Sequence, residues 1–465
     1  MKDTFPVIPL DLPQRRSFLL KTFQTAGAVT LTGFLAACGG DDDDDDDSNG
    51  SDNPGTDDPG TPGGPAKFNA FKEFGPLQAP DANGVMLPKG FKSRIVATSG
   101  QLVDGTAYTW HGAPDGGACF PTPDGGWVYV SNSETGAAQT GGAGALKFDK
   151  NGNIVGAYAI LKGTDNNCAG GPTPWNTWLS CEEHGTGQVW ECDPFNPWEN
   201  ATKTPPKPAL GFYAHEAVAV DPANRTLYLT EDAGGGRIYR FVCDDADWPE
   251  GAERPKMETG TLQTLRIKSL AANEDSYSNA GRQILSVGLS PVPVEWEDVE
   301  QPDQPQSTVR GAINGGGGAA PGNYFEKAEG IWFYNGIIFF VTSFNHRIWA
   351  YDTKHETLEV IFEGNDDNAD LTHSINEPDN ITVTGMGSIL VAEDSGNLEI
   401  SVLYPETHTS QAVMRLFGHD SSEITGPAVT PDGKRLYFSS QRGTDGTNGI
   451  TFEITLPTKA ADLGL

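Results

Sequence analysis

Six short apolar segments recur along the chain at near-constant spacing, and this limits the fold more than any other feature. VYVSNSE closes at Glu134, TWLSCEE carries Glu182 and Glu183, and LYLTED carries Glu231 and Asp232. FFVTSF passes Thr342, ILVAED carries Glu393, and LYFSSQ passes Ser440. The interval is about 48 residues, with one gap roughly twice as long between Glu231 and Thr342. Turn signals such as Pro123-Asp124-Gly125-Gly126, Asn335-Gly336 and Pro431-Asp432-Gly433 precede these segments. A unit of this length made of short strands reads as a β-propeller blade. The long gap, rich in Pro, Glu, Asn and Gly, reads as one blade carrying an insertion around 244–322. The expected fold is all-β, a six-bladed β-propeller with seven blades as the alternative.

The strand before each turn also begins alike. Asp115-Gly116-Gly117, Asn167-Cys168, His215-Glu216, Ala328-Glu329-Gly330, Glu377-Pro378-Asp379 and Glu423-Ile424-Thr425 follow the same period. Innermost propeller strands surround a central channel, so equivalent positions form a ring at its mouth. That ring is expected to hold Cys168, Glu216, Glu329, Glu377 or Asp379, and Glu423. Clustered carboxylates repel one another and lose hydration, and bound cations would offset both costs. The alternative is that these acids are turn residues or strand caps facing solvent. The segment NCAGGPTPWNTWLSCEE adds a thiol and two adjacent carboxylates, a donor mixture that suits iron or zinc beside a harder ion.

The formal net charge of -32 excludes binding to nucleic-acid backbone and favours cations. No HExxH or paired-histidine spacing occurs among the 8 histidines, which excludes the usual zinc-protease site. His215 precedes Glu216 and is a candidate to orient it. At the N-terminus, Arg15-Arg16 and the following apolar run resemble a twin-arginine export signal, and Leu35-Ala36-Ala37-Cys38 resembles a lipobox. The expected layout is a lipoprotein signal over 1–38, a disordered Asp/Gly/Pro tether over 39–66, and the propeller over 67–465. The expected partners are the twin-arginine translocase and a membrane reached through lipid at Cys38. Gly39 after Cys38 favours the outer membrane, giving a periplasmic or cell-surface lipoprotein, and a monomer is expected. Five further cysteines, an odd number, leave one thiol unpaired or used as a ligand.

Several motifs in fixed order resemble the PhoX-type alkaline phosphatase family. They are PDGGWVYVSNSE, NCAGGPTPWNTWLSCEE, GQVWECDP, HEAVAVDP with LYLTED, KAEGIWF, NEPDNITV and EITGPAVTPDGKRLYFSSQ, across residues 80 to 455. The resemblance implies a six-bladed propeller that hydrolyses phosphate monoesters with ferric iron and calcium in its channel. It implies Cys168 as an iron ligand. Glu216, Glu329, Asp379 and Glu182 or Glu183 are implied as metal-binding carboxylates, with Glu134, Asp232 and Glu423 as further ligands by position. Asn167 is implied near the metals or the phosphate. Lys327 stands where the family has an arginine, two residues before Glu329, and is the candidate phosphate-binding cation. Arg415 and Arg442 are further basic candidates. No covalent Ser or Cys phosphoenzyme is expected.

Two other functions fit the residues. A calcium-dependent propeller esterase or lactonase would need fewer metals and no thiolate ligand. A surface binding propeller would use calcium only for rigidity and show no turnover.

Overall fold

The computed structural model describes residues 71–457 except 73, 137–138, 201–204, 310–321 and 365–374. The expected export signal, Cys38, the acidic tether and the glycine run 315–318 lie outside the described residues. Among the described residues no helix is long and apolar enough to cross a membrane.

The chain starts with β1 (Val85–Met86) and β2 (Lys92–Thr98). Then β3 (Pro114–Pro121), β4 (Trp127–Ser133), β5 (Gly141–Phe148) and β6 (Ile154–Thr164) form an antiparallel sheet in sequence order. A three-stranded sheet follows from β7 (Asn167–Pro172), β8 (Trp178–Glu182) and β9 (Val189–Cys192). The next meander comprises β10 (His215–Asp221), β11 (Thr226–Glu231), β12 (Ile238–Cys243) and β13 (Gly260–Ile267), with β14 (Val292–Asp298) beyond it. Another consists of β15 (Ala328–Tyr334), β16 (Ile337–Thr342), β17 (Arg347–Asp352) and β18 (Thr357–Glu363). It is followed by β19 (Pro378–Val383), β20 (Ile389–Glu393), β21 (Glu399–Tyr404) and β22 (Thr409–Leu416). Finally come β23 (Ile424–Val429), β24 (Arg435–Ser440) and β25 (Ile450–Thr455). The early strands close the late sheets: β2 pairs with β25 and β1 with β22.

The turns form as their residues dictate. Asn335 and Gly336 both take positive φ, 50° and 83°, which a tight hairpin between β15 and β16 requires. Second and third strands are apolar and buried on both faces because each sheet is covered by its neighbours; β16 and β17 are buried throughout. In this core Phe340 stacks on Trp349 at 5.7 Å, with the edge of Phe325 against both.

The strand pairing corrects the expected six blades, and the seven-bladed alternative with them. The described residues form five sheets, of five, nine, four, four and three strands. Four have the size of blades. The fifth runs β10-β11-β12-β13-β14-β18-β17-β16-β15, and its end strands β10 and β15 lie side by side without pairing. The architecture is therefore a four-bladed propeller plus a nearly closed β-barrel. The cause lies in residues 244–322, expected to project as an insertion. They supply β13 and β14 instead, and β14 pairs with both β13 and β18, joining two meanders into one sheet. Trp296 on β14 secures the junction against Tyr228 and Tyr351.

The first strands β3, β7, β10, β15, β19 and β23 still lie each beside the next, and β23 returns to β3. Glycines permit this close approach. A Cβ on Gly171 would fall 1.7 Å from the Val218 carbonyl oxygen of β10, and one on Gly330 would fall 2.7 Å from that of Asp379. Gly171→Ala should therefore force β7 and β10 apart and cost about 3 kcal/mol or more. Thermal unfolding checks this; an unchanged Tm would contradict the close contact.

Candidate metal centre

One backbone irregularity, repeated around the ring of first strands, builds the site. Pro114, Asn167, His215, Ala328 and Pro378 each pair with the last residue of the next strand, and the register then breaks at once. Such a bulge re-aims the side chains within it. The residues in these bulges are Asp115, Cys168, Glu216, Glu329 and Asp379, all buried. On β23 the break comes one residue later, after Thr425, so the sixth position carries no acid.

A second set occupies the position just after each second strand: Glu134, Glu183, Asp232, Ser343, Asp394 and Gln441. Its place is fixed by a sixfold backbone hydrogen bond. Their N–H groups donate to the carbonyls of Ala113, Asn166, Ala214, Lys327, Glu377 and Glu423, over 2.9–3.2 Å. These six acceptors form a third set, and Ala113, Asn166, Lys327 and Glu377 take positive φ to present them.

Three groups of candidate ligand atoms result, those within each group lying within 4.8 Å of one another: Asp115, Glu134 and Cys168; Cys168, Glu183 and Glu216; Glu216, Glu329 and Asp379. Cys168 and Glu216 are shared, so seven side chains form one continuous run. Burial, then Asp379 and Glu329, push the Glu216 carboxyl well above the usual range. Burial and Glu134 do the same to Asp115, and burial and Glu329 to Asp379. Burial and Asp232 raise Glu183 to about 9 and Glu329 to about 8. The Cys168 thiol is pushed up by burial, then by Asp115 and Glu216.

The donor set fits a metal cofactor. Both carboxylate oxygens of Glu216 and Oδ1 of Asp232 are buried without a hydrogen-bond partner. Buried polar atoms rarely stay unpaired, and cations would satisfy these oxygens and the crowded charge together. Carboxylates suit hard calcium, while the thiol adds a softer donor.

Of the residues expected from the sequence, Cys168, Glu134, Glu183, Glu216, Glu329 and Asp379 come together in this run. Asp379, not Glu377, occupies the bulge. Asp232 lies beside the run, its Oδ2 3.6 Å from Lys327 Nζ, which also sits 3.3 Å from Glu329 Oε1. Glu182 is placed elsewhere: its two oxygens accept from the backbone N–H of Asp165 and of Gln188. Glu393 braces its sheet in the same way through Asn376 N–H and Glu399 N–H, and Glu231 accepts from Arg237 N–H. In each EE or ED pair the first acid braces a loop and the second faces the site.

Glu423 lies outside the three groups and pairs with Arg442 at 2.5 Å. Asn167 is fully buried, with Oδ1 accepting from Thr164 and Nδ2 donating to Ser180. His215 does not orient Glu216; its Nε2 contacts the Gly211 carbonyl and its ring lies on Tyr213. Arg415 is held by Glu399 through Nε and Nη2. All five described cysteines are free.

The sequence reading missed four residues. Asp115 holds the same bulge position as Cys168. Asp394 holds the position of Glu183 and Asp232, which its ED motif already signalled. Gln441 Nε2 bridges Asp115 Oδ2 and Glu134 Oε2. Asn166 Nδ2 donates to the Glu183 carbonyl and to Oε2 of the same residue.

The family model for alkaline phosphatase PhoX matches residues 127–190 and 184–443. The chain belongs to the PhoX family. Among solved structures it is similar to PhoX of Pseudomonas fluorescens in complex with vanadate, a transition-state analogue, with 16% identity and a TM-score of 0.60. That match covers 83% of this chain and 97% of the other. A structural-genomics protein of unknown function from Bacteroides thetaiotaomicron matches at 12% identity and a TM-score of 0.43, covering 82% of this chain and 84% of that one. No curated protein matches the chain. Membership in PhoX makes the chain an enzyme of hydrolase type, and the family together with the three ligand groups supports a metal cofactor.

Proposed function

We propose that this PhoX-family enzyme hydrolyses phosphate monoesters, with calcium and ferric iron as its cofactor. The observation that carries the reading is the continuous run of buried and half-buried acids and one buried thiol, with the unpaired oxygens of Glu216 at its centre. Cys168 would hold iron; Asp115, Glu134, Glu183, Glu216, Glu329 and Asp379 would share the ions, with Asp232 and Asp394 alongside. Bound there, the ions would withdraw charge from phosphoryl oxygens as Lewis acids.

Lys327 would meet the phosphate from the rim of the site. Partial burial works against its charge, but Glu329 and Asp232 outweigh this and keep the ammonium protonated at any working pH. Its positive-φ backbone and the Ser343 N–H bond to its carbonyl fix where the side chain starts. Asn166, rather than the interior Asn167, would hold Glu183 in place. Export by the twin-arginine route, a lipid anchor at Cys38 and a monomeric state belong to the same reading.

The test is hydrolysis of a chromogenic phosphate monoester by exported protein, with calcium and with a calcium chelator, beside elemental analysis. Calcium-dependent turnover with bound iron, both lost in Cys168→Ala, is the expected result. Lys327→Ala should lower kcat/KM about 100-fold with metals retained. Turnover that survives chelation and metal removal would overturn the proposal.

A further inference from the structure

Two cations form ion pairs with the three ring sets among the described residues. Lys327 pairs with Asp232 and Glu329, and Arg442 pairs with Glu423. Other arginines pair with acids on later strands of the sheets. Arg94 and Arg435 clamp Glu453, Arg415 clamps Glu399, and Arg347 is fully buried on Glu363.

Arg442 differs from these in where its partner lies and in how it is held. Its side chain is 45% exposed, while that of its partner Glu423 is only 10% exposed. Its main-chain N–H donates to Ser422 Oγ at 2.9 Å, and that hydroxyl also accepts from Ser440 Oγ. Nη1 donates to Glu423 Oε1. The arginine is thus fixed at both ends, directly after Gln441, whose amide bridges Asp115 and Glu134. Lys327 and Glu423, the partner of Arg442, hold the same position of the third set, so both cations stand at the mouth of one ring.

We infer that Arg442 is a second phosphate-binding residue of this site, held by Glu423 so that it and Lys327 together receive the dianion of a phosphate monoester. This rests on the phosphatase reading above. Lysine offers a point charge, whereas the guanidinium fork can bind two phosphoryl oxygens at once. Glu423, outside the ligand groups, then acts as a positioning residue for Arg442.

The test compares metal-loaded wild type, Arg442→Ala, Arg442→Lys and Glu423→Gln. Its readouts are KM and kcat for the chromogenic monoester, inhibition by inorganic phosphate, calorimetric binding of inorganic phosphate, and metal content. Arg442→Ala should raise KM and the inhibition constant of phosphate about 10- to 100-fold, with a smaller fall in kcat and full metal content. Arg442→Lys should recover part of the loss, and Glu423→Gln should raise KM with metals retained. Unchanged KM and phosphate inhibition in Arg442→Ala would overturn the inference. So would metal loss in that variant, which would make Arg442 a partner of Glu423 only. Should wild type show no turnover, the phosphatase reading fails on its own. Calorimetry then decides this inference: phosphate binding lost in Arg442→Ala upholds it, and no binding to wild type overturns it.

Discussion

Glu216→Gln is expected to act with opposite signs on the metal-loaded and the metal-free protein. In the loaded enzyme it removes a carboxylate shared by two ligand groups. Activity should fall by more than the roughly 10- to 100-fold typical of outer partners of a metal site, to about 10³-fold or beyond. In the chelated protein the same change removes a buried acid whose two oxygens lack partners and whose ionisation burial and Asp379 oppose. Glutamine keeps the volume and brings an N–H₂ that neighbouring carboxylates can accept. The chelated variant should be more stable than chelated wild type by about 1–3 kcal/mol at pH 8. Paired melting curves and elemental analysis check both halves. A variant destabilised in the chelated state as well would show that Glu216 is a structural residue and not a ligand.

Metal removal should destabilise the protein increasingly as pH rises from about 5 to about 9. The sign follows from the raised carboxyls. Burial and Asp232 push Glu183 up to about 9 and Glu329 up to about 8 in the fold, against the ordinary 4.5. Between these limits the metal-free native state binds more protons than the unfolded chain, so its stability falls with pH. It is fully present below the unfolded value. The steepest loss is about 1.4 kcal/mol per pH unit for each such group. Asp115, Glu216 and Asp379 add in the same direction. With cations bound, the charged forms are the stable ones and this slope disappears. The gap in Tm between loaded and chelated protein should therefore be small near pH 5 and widest near pH 9. A gap independent of pH would show that the acids are not the groups the cations neutralise.

Part of the candidate run was legible in the chain because it repeats. Cys168, Glu216 and Glu329 recur at one position of one kind of strand, and period alone groups them. The reading failed where a single-residue offset mattered. Side chains alternate along a strand, so Glu182 and Glu183 point opposite ways, and only the pairing of β7 with β8 tells which faces the site. Asn166 and Asn167 divide for the same reason. Glu377 and Asp379 looked equivalent until the bulge after Pro378 placed Asp379 in the ring. Asp115 was visible in PDGG but looked like a turn residue, since Asp before Gly is also turn chemistry.

The sequence by itself determined the all-β class, the tight turns, the order of the meanders and the residue types that gather at their first strands. These depend on local chemistry: apolar runs, Asn-Gly and Asp-Gly turns, and a short repeat period. The number of separate sheets was decided only in three dimensions. β14 meets β18 through Val292 and Pro293, a contact that no local propensity encodes, and this joins two meanders into a nearly closed barrel. Likewise, the unpaired oxygens of Glu216 and the two-point hold on Arg442 exist only after strands far apart in sequence are brought together. Pairing partners and burial are properties of the packed chain, and they turn a list of acids into a candidate metal centre.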